Sequence, residues 1–305
     1  MRRSSIALVA SLIAVLSCNT PETNDSITIG FVGDILLDRG VRSEISKRGI
    51  DRFYQSLSEQ LIETGYLVGN LECPLTESMQ PVHKKYVFRG DTIHARYLRG
   101  AGFTHLNMAN NHSYDQSRAG MVTTAQTLKH NNMEPLGYND QQLHACEPTI
   151  ISQNGIAVAL FSSVTLALEN WFPNPDKPGM CQEGAADLTQ RIAEYAQNNP
   201  THQIVVYLHW GIEHVEEASP DQRAVAQSLI DAGADLIVGH HPHVLQPHQR
   251  YKGKHIFYSL GNFIFDQTAP SNSKSSLLEV RFHQTGYEVT SVGYEIRDCL
   301  PVRVN

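Results

Sequence analysis

Ile27-Thr28-Ile29-Gly30-Phe31-Val32-Gly33-Asp34 is an apolar, β-branched run that stops at a carboxylate. The pattern recurs along the chain. Tyr66-Leu67-Val68 leads into Gly69-Asn70-Leu71-Glu72, and Thr104-His105-Leu106-Asn107-Met108 into Asn110-Asn111-His112. Ile204-Val205-Val206-Tyr207-Leu208 leads into His209-Trp210-Gly211, and Asp235-Leu236-Ile237-Val238 into Gly239-His240-His241-Pro242-His243; Gly261-Asn262 and Asp266 complete the series. In an open α/β sheet ligands bind beyond the carboxyl ends of the strands, so functional side chains recur there at wide sequence spacing. Each cluster alone is as readily an edge loop, a helix cap or a satisfied core histidine. Their joint placement at successive strand ends points to one site built from several loops.

Between these runs, apolar residues at helical period predict helices over 52–64, 92–100, 118–131, 185–198 and 220–232. Such alternation implies a largely parallel sheet with helical crossovers. Thr149-Ile150-Ile151 and the run 156–162 face each other across Asn154-Gly155, which predicts a hairpin. The runs 255–259, 277–281 and 287–296 read as consecutive strands and predict an antiparallel end to a second sheet. Residues 169–181, with Pro173, Pro175 and Pro178, read as a wrapped surface loop near the site mouth, anchored by Trp171 and Phe172.

The residue types at the strand ends restrict the chemistry. Carboxylate, amide and imidazole groups without thiolate suit Mg, Mn, Fe or Zn rather than a cysteine-based structural zinc. Six or seven such groups exceed the three protein ligands of a single catalytic zinc. Two divalent ions are therefore the expected cofactor, since a pair about 3.5–4 Å apart activates water and stabilises a leaving oxygen.

The clusters Gly-Asn-Leu-Glu (69–72), Ala-Asn-Asn-His (109–112), His-Trp-Gly (209–211), His-Pro-His-Val-Leu-Gln (241–246) and Ser-Leu-Gly-Asn-Phe-Ile-Phe-Asp (259–266), in this order after the Asp34 loop, resemble the CapA family of poly-γ-glutamate capsule synthesis proteins. That family is in turn similar to the calcineurin-like metallophosphoesterases, and the resemblance implies an α/β fold in a four-layer α/β/β/α sandwich with a dinuclear metal site. Asp34 resembles the first-strand metal carboxylate, and Glu72 stands near the place of a bridging Asp. Asn111 and His112 resemble the pair that supplies a metal ligand and a general acid; His209, His241 and His243 resemble the late histidine ligands. The sequence departs from the enzyme pattern in three places. The Asp-x-His of the first strand is absent, since Asp34 is followed by Ile35 and Leu36, Glu72 replaces an Asp, and His240 adds a further imidazole. A mononuclear or non-catalytic site stays compatible with these residues.

Arg2 and Arg3 precede the apolar run 6–16, and Val15-Leu16-Ser17-Cys18 closes it. This is the layout of a secretory signal, and its 11 residues fall short of the ~20 needed to span a bilayer. The close resembles a bacterial lipobox, which makes Cys18 the expected lipidation site of an exported, membrane-anchored lipoprotein of the bacterial cell envelope. Residues 1–18 are then a signal peptide, 19–26 a polar tether and 27–305 a single domain, a length sufficient for one large core. The formal charge of −7 becomes more negative once Arg2 and Arg3 are lost, which disfavours nucleic acid as a partner. Besides Cys18, Cys73, Cys146, Cys181 and Cys299 are compatible with three pairings in an oxidising compartment.

His83-Lys84-Lys85-Tyr86-Val87-Phe88-Arg89 supplies three fixed cations, and alternation in an extended segment places Lys85, Val87 and Arg89 on one face. Arg presents a fork suited to carboxylate or phosphate and Lys a point charge, so an anionic polymer such as poly-γ-glutamate, or a phosphoester, is the expected substrate. A solvated basic edge strand explains the same segment equally well. Arg39 is a further candidate. Two functional classes follow: a metal-dependent hydrolase with His112 as general acid, or a capsule or exopolymer assembly and anchoring protein that binds polymer without turnover, with capsule-synthesis membrane proteins as partners.

Overall fold

A computed structural model describes residues 26–304. The expected signal peptide, Cys18 and nearly all of the expected polar tether lie outside the described residues, and no helix among the described residues is long and apolar enough to cross a membrane. In chain order the elements are β1 (Ile27–Ile35), α1 (Arg39–Arg48), α2 (Ile50–Gln60), β2 (Tyr66–Leu71), α3 (Ile93–Gly100), β3 (His105–Asn107), α4 (Ser117–His130), β4 (Glu134–Leu136), β5 (Tyr138–Asn139), β6 (Thr149–Gln153), β7 (Ile156–Val164) and β8 (Gly179–Met180). They continue with α5 (Ala185–Asn198), β9 (Gln203–His209), α6 (Pro220–Asp231), β10 (Leu236–His240), β11 (His248–Tyr251), β12 (Lys254–Phe257), β13 (Asn262–Ile264), β14 (Lys274–His283), β15 (Gly286–Arg297) and β16 (Leu300–Arg303).

Two sheets stack face to face. The first runs β16-β15-β14-β1-β2-β3-β4, with β13 added in parallel against the end of β1; the second runs β11-β12-β10-β9-β7-β6. Ile27, Ile29 and Phe31 of β1 meet Val158 and Leu160 of β7, Val205 and Tyr207 of β9 and Leu236 and Val238 of β10 in the core between the sheets. Alternation places the opposite residues of the same strands outward. Val32 and Ile35 pack under α1 to α4, whereas Phe161, Val206 and Ile237 pack under α5 and α6. The result is the four-layer α/β/β/α sandwich expected from the sequence.

Local signals explain most boundaries. Ser219 caps α6 by accepting from the Gln222 backbone N–H, while the Gln222 side chain accepts from the Ser219 N–H, and Pro220 opens the first turn. Asn154 and Gly155 both have positive φ, 53° and 77°, in the tight turn between β6 and β7. Helix α1 has no counterpart in the sequence reading, because only Val41 and Ile45 are buried along it and two apolar positions are too few to reveal a period.

The second sheet does end antiparallel, at β11 and β12, but the structure corrects the placement of the runs 277–281 and 287–296. The run 255–259 supplies β12, which pairs parallel with β10 in the second sheet, but β14, β15 and β16 form an antiparallel edge on the first sheet beside β1. The crossing is made at Gly261, whose φ of 70° turns the chain from one sheet to the other just before β13. The loop after β7 also holds differently than expected. Trp171 is buried edge-on against Tyr114, whereas Phe172 is 75% exposed, so one aromatic anchors it rather than two. Cys146 and Cys181 form a disulfide with Cα atoms 4.7 Å apart, and Cys73 and Cys299 are free.

The approach of β1 to the crossing is as close as backbones allow. A Cβ on Gly33 would lie 1.9 Å from the Gly261 carbonyl oxygen, a clash that no rotamer change relieves. Gly33→Ala is therefore expected to lower stability by about 1–3 kcal/mol through forced backbone movement; an unchanged urea midpoint would contradict this packing.

Candidate metal centre

The carboxyl ends of the parallel strands in both sheets converge on one buried cluster. In the first sheet Asp34 lies in register with Asn70 on β2, and Asn70 in register with Asn107 on β3. In the second, His209 at the end of β9 lies opposite His240 at the end of β10. Asp34, Asn70, Glu72, Asn107, Asn110, His112, His209, His240, His241 and His243 are all buried. Ligand atoms of Asp34, Glu72 and His209 lie within 4.8 Å of one another.

Asn70 holds this cluster together. Its Nδ2 donates to Asp34 Oδ1 (2.8 Å) and Glu72 Oε1 (3.0 Å) and lies 3.2 Å from His209 Nδ1. Its Oδ1 accepts from Asn107 Nδ2 (2.8 Å) and Asn110 Nδ2 (3.2 Å). An amide nitrogen carries two protons, which the two carboxylates use, so His209 Nδ1 receives none from it. The other ring nitrogen of His209 bonds Asn111 Oδ1 at 2.9 Å. An amide oxygen only accepts, so Nε2 carries the proton and the Nδ1 lone pair faces Asn70 and Glu72.

Several buried polar atoms in the cluster have no hydrogen-bond partner: Asp34 Oδ2, Glu72 Oε2, both ring nitrogens of His240 and Nδ1 of His241. His243 Nδ1 lies 3.2 Å from Asp34 Oδ2 but bonds Asn262 Oδ1 at 3.0 Å, and its Nε2 is 3.5 Å from Glu72 Oε2. Unpartnered buried oxygens and nitrogens cost about 1–3 kcal/mol each. Their convergence as an all-oxygen and nitrogen donor set fits a divalent metal centre.

The electrostatics are set by burial and by the close approach of carboxylates and imidazoles. Burial alone would raise Asp34, but the close approach of His240 and His243 holds it well below the usual carboxylate range. Burial and the neighbouring Asp34 charge push Glu72 well above that range. Burial opposes charge on His243 as well, yet Glu72 and Asp34 outweigh it and raise the imidazole to about 9. His241 is driven down to about 3 by burial and by His243, and burial likewise lowers His209 and His240. A cation held by Glu72 and His243 would compete with protons at both, since both groups are shifted upward. His241 and His243 sit at φ 99° and 58°, strained conformations of the kind that cluster at functional sites.

His112 stands at the outer edge. Its Nδ1 bonds Asp115 Oδ2 at 2.8 Å, its ring stacks on Phe88 at 4.2 Å, and no protein partner takes its Nε2 among the described residues. Burial lowers its pKa despite Asp115. Lys84 ties this corner down, with Nζ 2.6 Å from Asp115 Oδ1 and 2.7 Å from the Asn111 carbonyl oxygen. The expected alternation of Lys85, Val87 and Arg89 fails, because residues 83–85 bend and no strand forms. Lys84 turns inward, Lys85 fronts the cleft with Asn111, His112 and His241, and Arg89 is taken up by the Thr76 carbonyl (3.1 Å) and Asp91 (3.7 Å). Arg39 does front the centre beside His112 and His243, ion-paired to Asp266 at 2.5 Å and 4.7 Å from the Phe88 ring centroid.

Asn70, Asn107 and Lys84 lie in segments that the sequence marks, without a sign of their roles, whereas Asp115, Glu213 and His214 lie in none. A visible signal existed for Asn70, which follows Gly69 at a strand end as Asp34 follows Gly33. Removing the Asn70 amide would orphan two carboxylates at once. Asn70→Ala is expected to cost about 2–4 kcal/mol in metal-free protein, measured by urea unfolding; a loss below about 1 kcal/mol would contradict its place as the hub.

Residues 28–267 match the family described as bacterial capsule synthesis protein PGA_cap. The chain is 31% identical over 287 residues to the capsule biosynthesis protein CapA of Bacillus anthracis, covering 92% of this chain and 68% of that one. It is also 31% identical to the PGA biosynthesis protein CapA of Bacillus subtilis, covering 92% and 75%. Among solved structures, NAD nucleotidase (NadN) of Haemophilus influenzae superposes with a TM-score of 0.55 at 14% identity, over 92% of this chain and 60% of that one. A hypothetical protein of Thermus thermophilus superposes with a TM-score of 0.51 at 14% identity, over 89% and 100%. These likenesses are of fold, and the fold is of the metallophosphoesterase type. With the match running from β1 through the Asp266 loop, the chain belongs to the bacterial capsule synthesis protein family PGA_cap.

Proposed function

We propose that the protein is a metal-dependent hydrolase of the bacterial cell envelope acting on an anionic polymer of the poly-γ-glutamate kind. The observation that carries this reading is the convergence of unpartnered, buried carboxylate and imidazole atoms from both sheets beneath an open cleft. Asp34, Glu72, Asn111, His209, His241 and His243 would hold two divalent ions, Mn, Fe, Zn or Mg. Such ions supply a Lewis acid and lower the pKa of water when bound. Asn111 would turn from His209 to take its part, or keep that histidine's tautomer fixed.

His112 would act as general acid. Asp115 holds its Nδ1 and Phe88 holds its plane, so Nε2 presents toward the cleft where a leaving group would depart. Lys84 already neutralises Asp115 and Arg39 is paired with Asp266, so Lys85 would be the main attraction for anionic substrate, with Arg39 beside the centre as a second contact; Arg89 would hold the loop. The names of the Bacillus relatives, for capsule and PGA biosynthesis, favour polymer over a small phosphoester. The Cys146–Cys181 disulfide supports an exported location, and Cys18 is proposed as its lipid anchor.

The test uses full-length protein in detergent, reconstituted with metal and offered γ-glutamyl oligomers and phosphodiesters. His112→Asn should keep wild-type metal content and lose about 10²–10⁴-fold in turnover. Wild-type protein that binds metal but hydrolyses neither substrate class, with His112→Asn indistinguishable from it, would leave a non-catalytic capsule assembly and anchoring role instead.

A further inference from the structure

The space above the centre is divided in two. A cleft of about 470 Å³ is lined by residues that include Lys85, His112, Leu166, Glu169, Glu213 and His241. A smaller chamber of about 130 Å³ lies between Arg39, Phe88, His214, His243 and Phe265. Tyr86, His112 and Glu213 belong to both and stand between them.

The fixed charges of the two spaces differ. In the smaller chamber Arg39 is ion-paired to Asp266. In the larger cleft Lys84 is spent on Asp115, but Lys85 lies against the Tyr86 ring, 4.8 Å away, and neither Lys85 nor Glu169 makes an ion pair among the described residues. Glu213 has only the neighbouring His214, at 3.9 Å, among the described residues. Leu166 and Ala167 add a short apolar wall, and the ring of His241, 7% exposed and with no partner for its Nδ1, reaches this same space. Among the described residues, one free cation and two free carboxylates around an apolar wall do not match a uniformly anionic ligand. They match a group carrying an ammonium and a carboxylate on a short aliphatic body.

We propose that the larger cleft binds an α-amino-acid end group, so that the protein engages a γ-linked glutamyl polymer at its amino terminus. This rests on the polymer reading above. In a γ-linked chain every residue keeps its α-carboxylate, but only the amino-terminal residue also has a free α-ammonium. Lys85 takes the carboxylate and Glu169 with Glu213 take the ammonium, which places the first γ-amide toward His112 and His241. The interior of the chain offers no cation to the two glutamates and is held more weakly, so the protein works from one end of the polymer.

The test measures binding of two γ-glutamyl oligomers of equal length, one with a free amino terminus and one acetylated there, to full-length protein at fixed metal concentration. The free oligomer should bind about two- to fivefold more tightly, the scale of an ion pair that is partly exposed. Glu169→Gln combined with Glu213→Gln, both exposed positions whose exchange leaves the core intact, should abolish that preference, and Lys85→Ala should weaken both oligomers. Equal affinity for the two oligomers, or a preference that survives in the double variant, would overturn end-group recognition while leaving the polymer reading in place. Failure of both oligomers to bind would overturn the polymer reading and this inference together.

Discussion

Two carboxylates buried side by side, Asp34 and Glu72, are the constraint on which the rest of the structure depends. Taking such groups out of water costs several kcal/mol each unless opposite charge and hydrogen bonds are supplied in place. The molecule supplies them from two directions. Asn70 bridges the carboxylates from within the first sheet, and His243, from the loop after β10, approaches both, 3.2 Å from Asp34 Oδ2 and 3.5 Å from Glu72 Oε2. Burial and the Asp34 charge raise Glu72, while the two carboxylates raise His243, so both groups hold protons more tightly than they would in water. A divalent cation would do the same task with stronger charge and fixed direction.

The layered architecture follows from this demand. Neither sheet carries a complete donor set, since Asp34 and Glu72 come from the ends of β1 and β2 while His209 and His240 end β9 and β10. Stacking the sheets through the core around Phe31, Tyr207 and Val238 sets the distance between the two half-sites. Tyr207 links the tasks, with its ring 4.1 Å from His240 and its hydroxyl 3.3 Å from the Val32 carbonyl oxygen. The left-handed backbone at His241 and His243 then turns both rings back over the cluster, and close packing elsewhere keeps that strain in place.

Much of this was legible in the sequence because strand ends are marked twice, once by the end of an apolar run and once by the polar residue that follows. Asp34, Glu72, His209 and His243 were visible for that reason, and the structure brings them together. Lys84 and Lys85 were not separable, because which of two adjacent lysines turns inward depends on a bend at 83–85 and on Asp115, well downstream in the chain. The role of Asn70 is not legible in the sequence, since a hub is defined by partners distant along the chain, here Asn107, Asn110 and His209. The placement of β14 to β16 escaped for a related reason. Strand periodicity identifies a strand and its buried face, but the sheet it joins was decided by one turn at Gly261.

The central claim is that the donors from both sheets form one preformed metal centre, and metal analysis tests it most directly. Full-length protein in detergent is stripped with chelator, reconstituted with Mn, Fe or Zn, passed through a desalting column and measured for bound metal per chain. A specific centre retains about one to two equivalents, because assembled nitrogen and oxygen sites hold such ions through dilution. Retention below about 0.2 equivalents with each of the three metals would contradict the account.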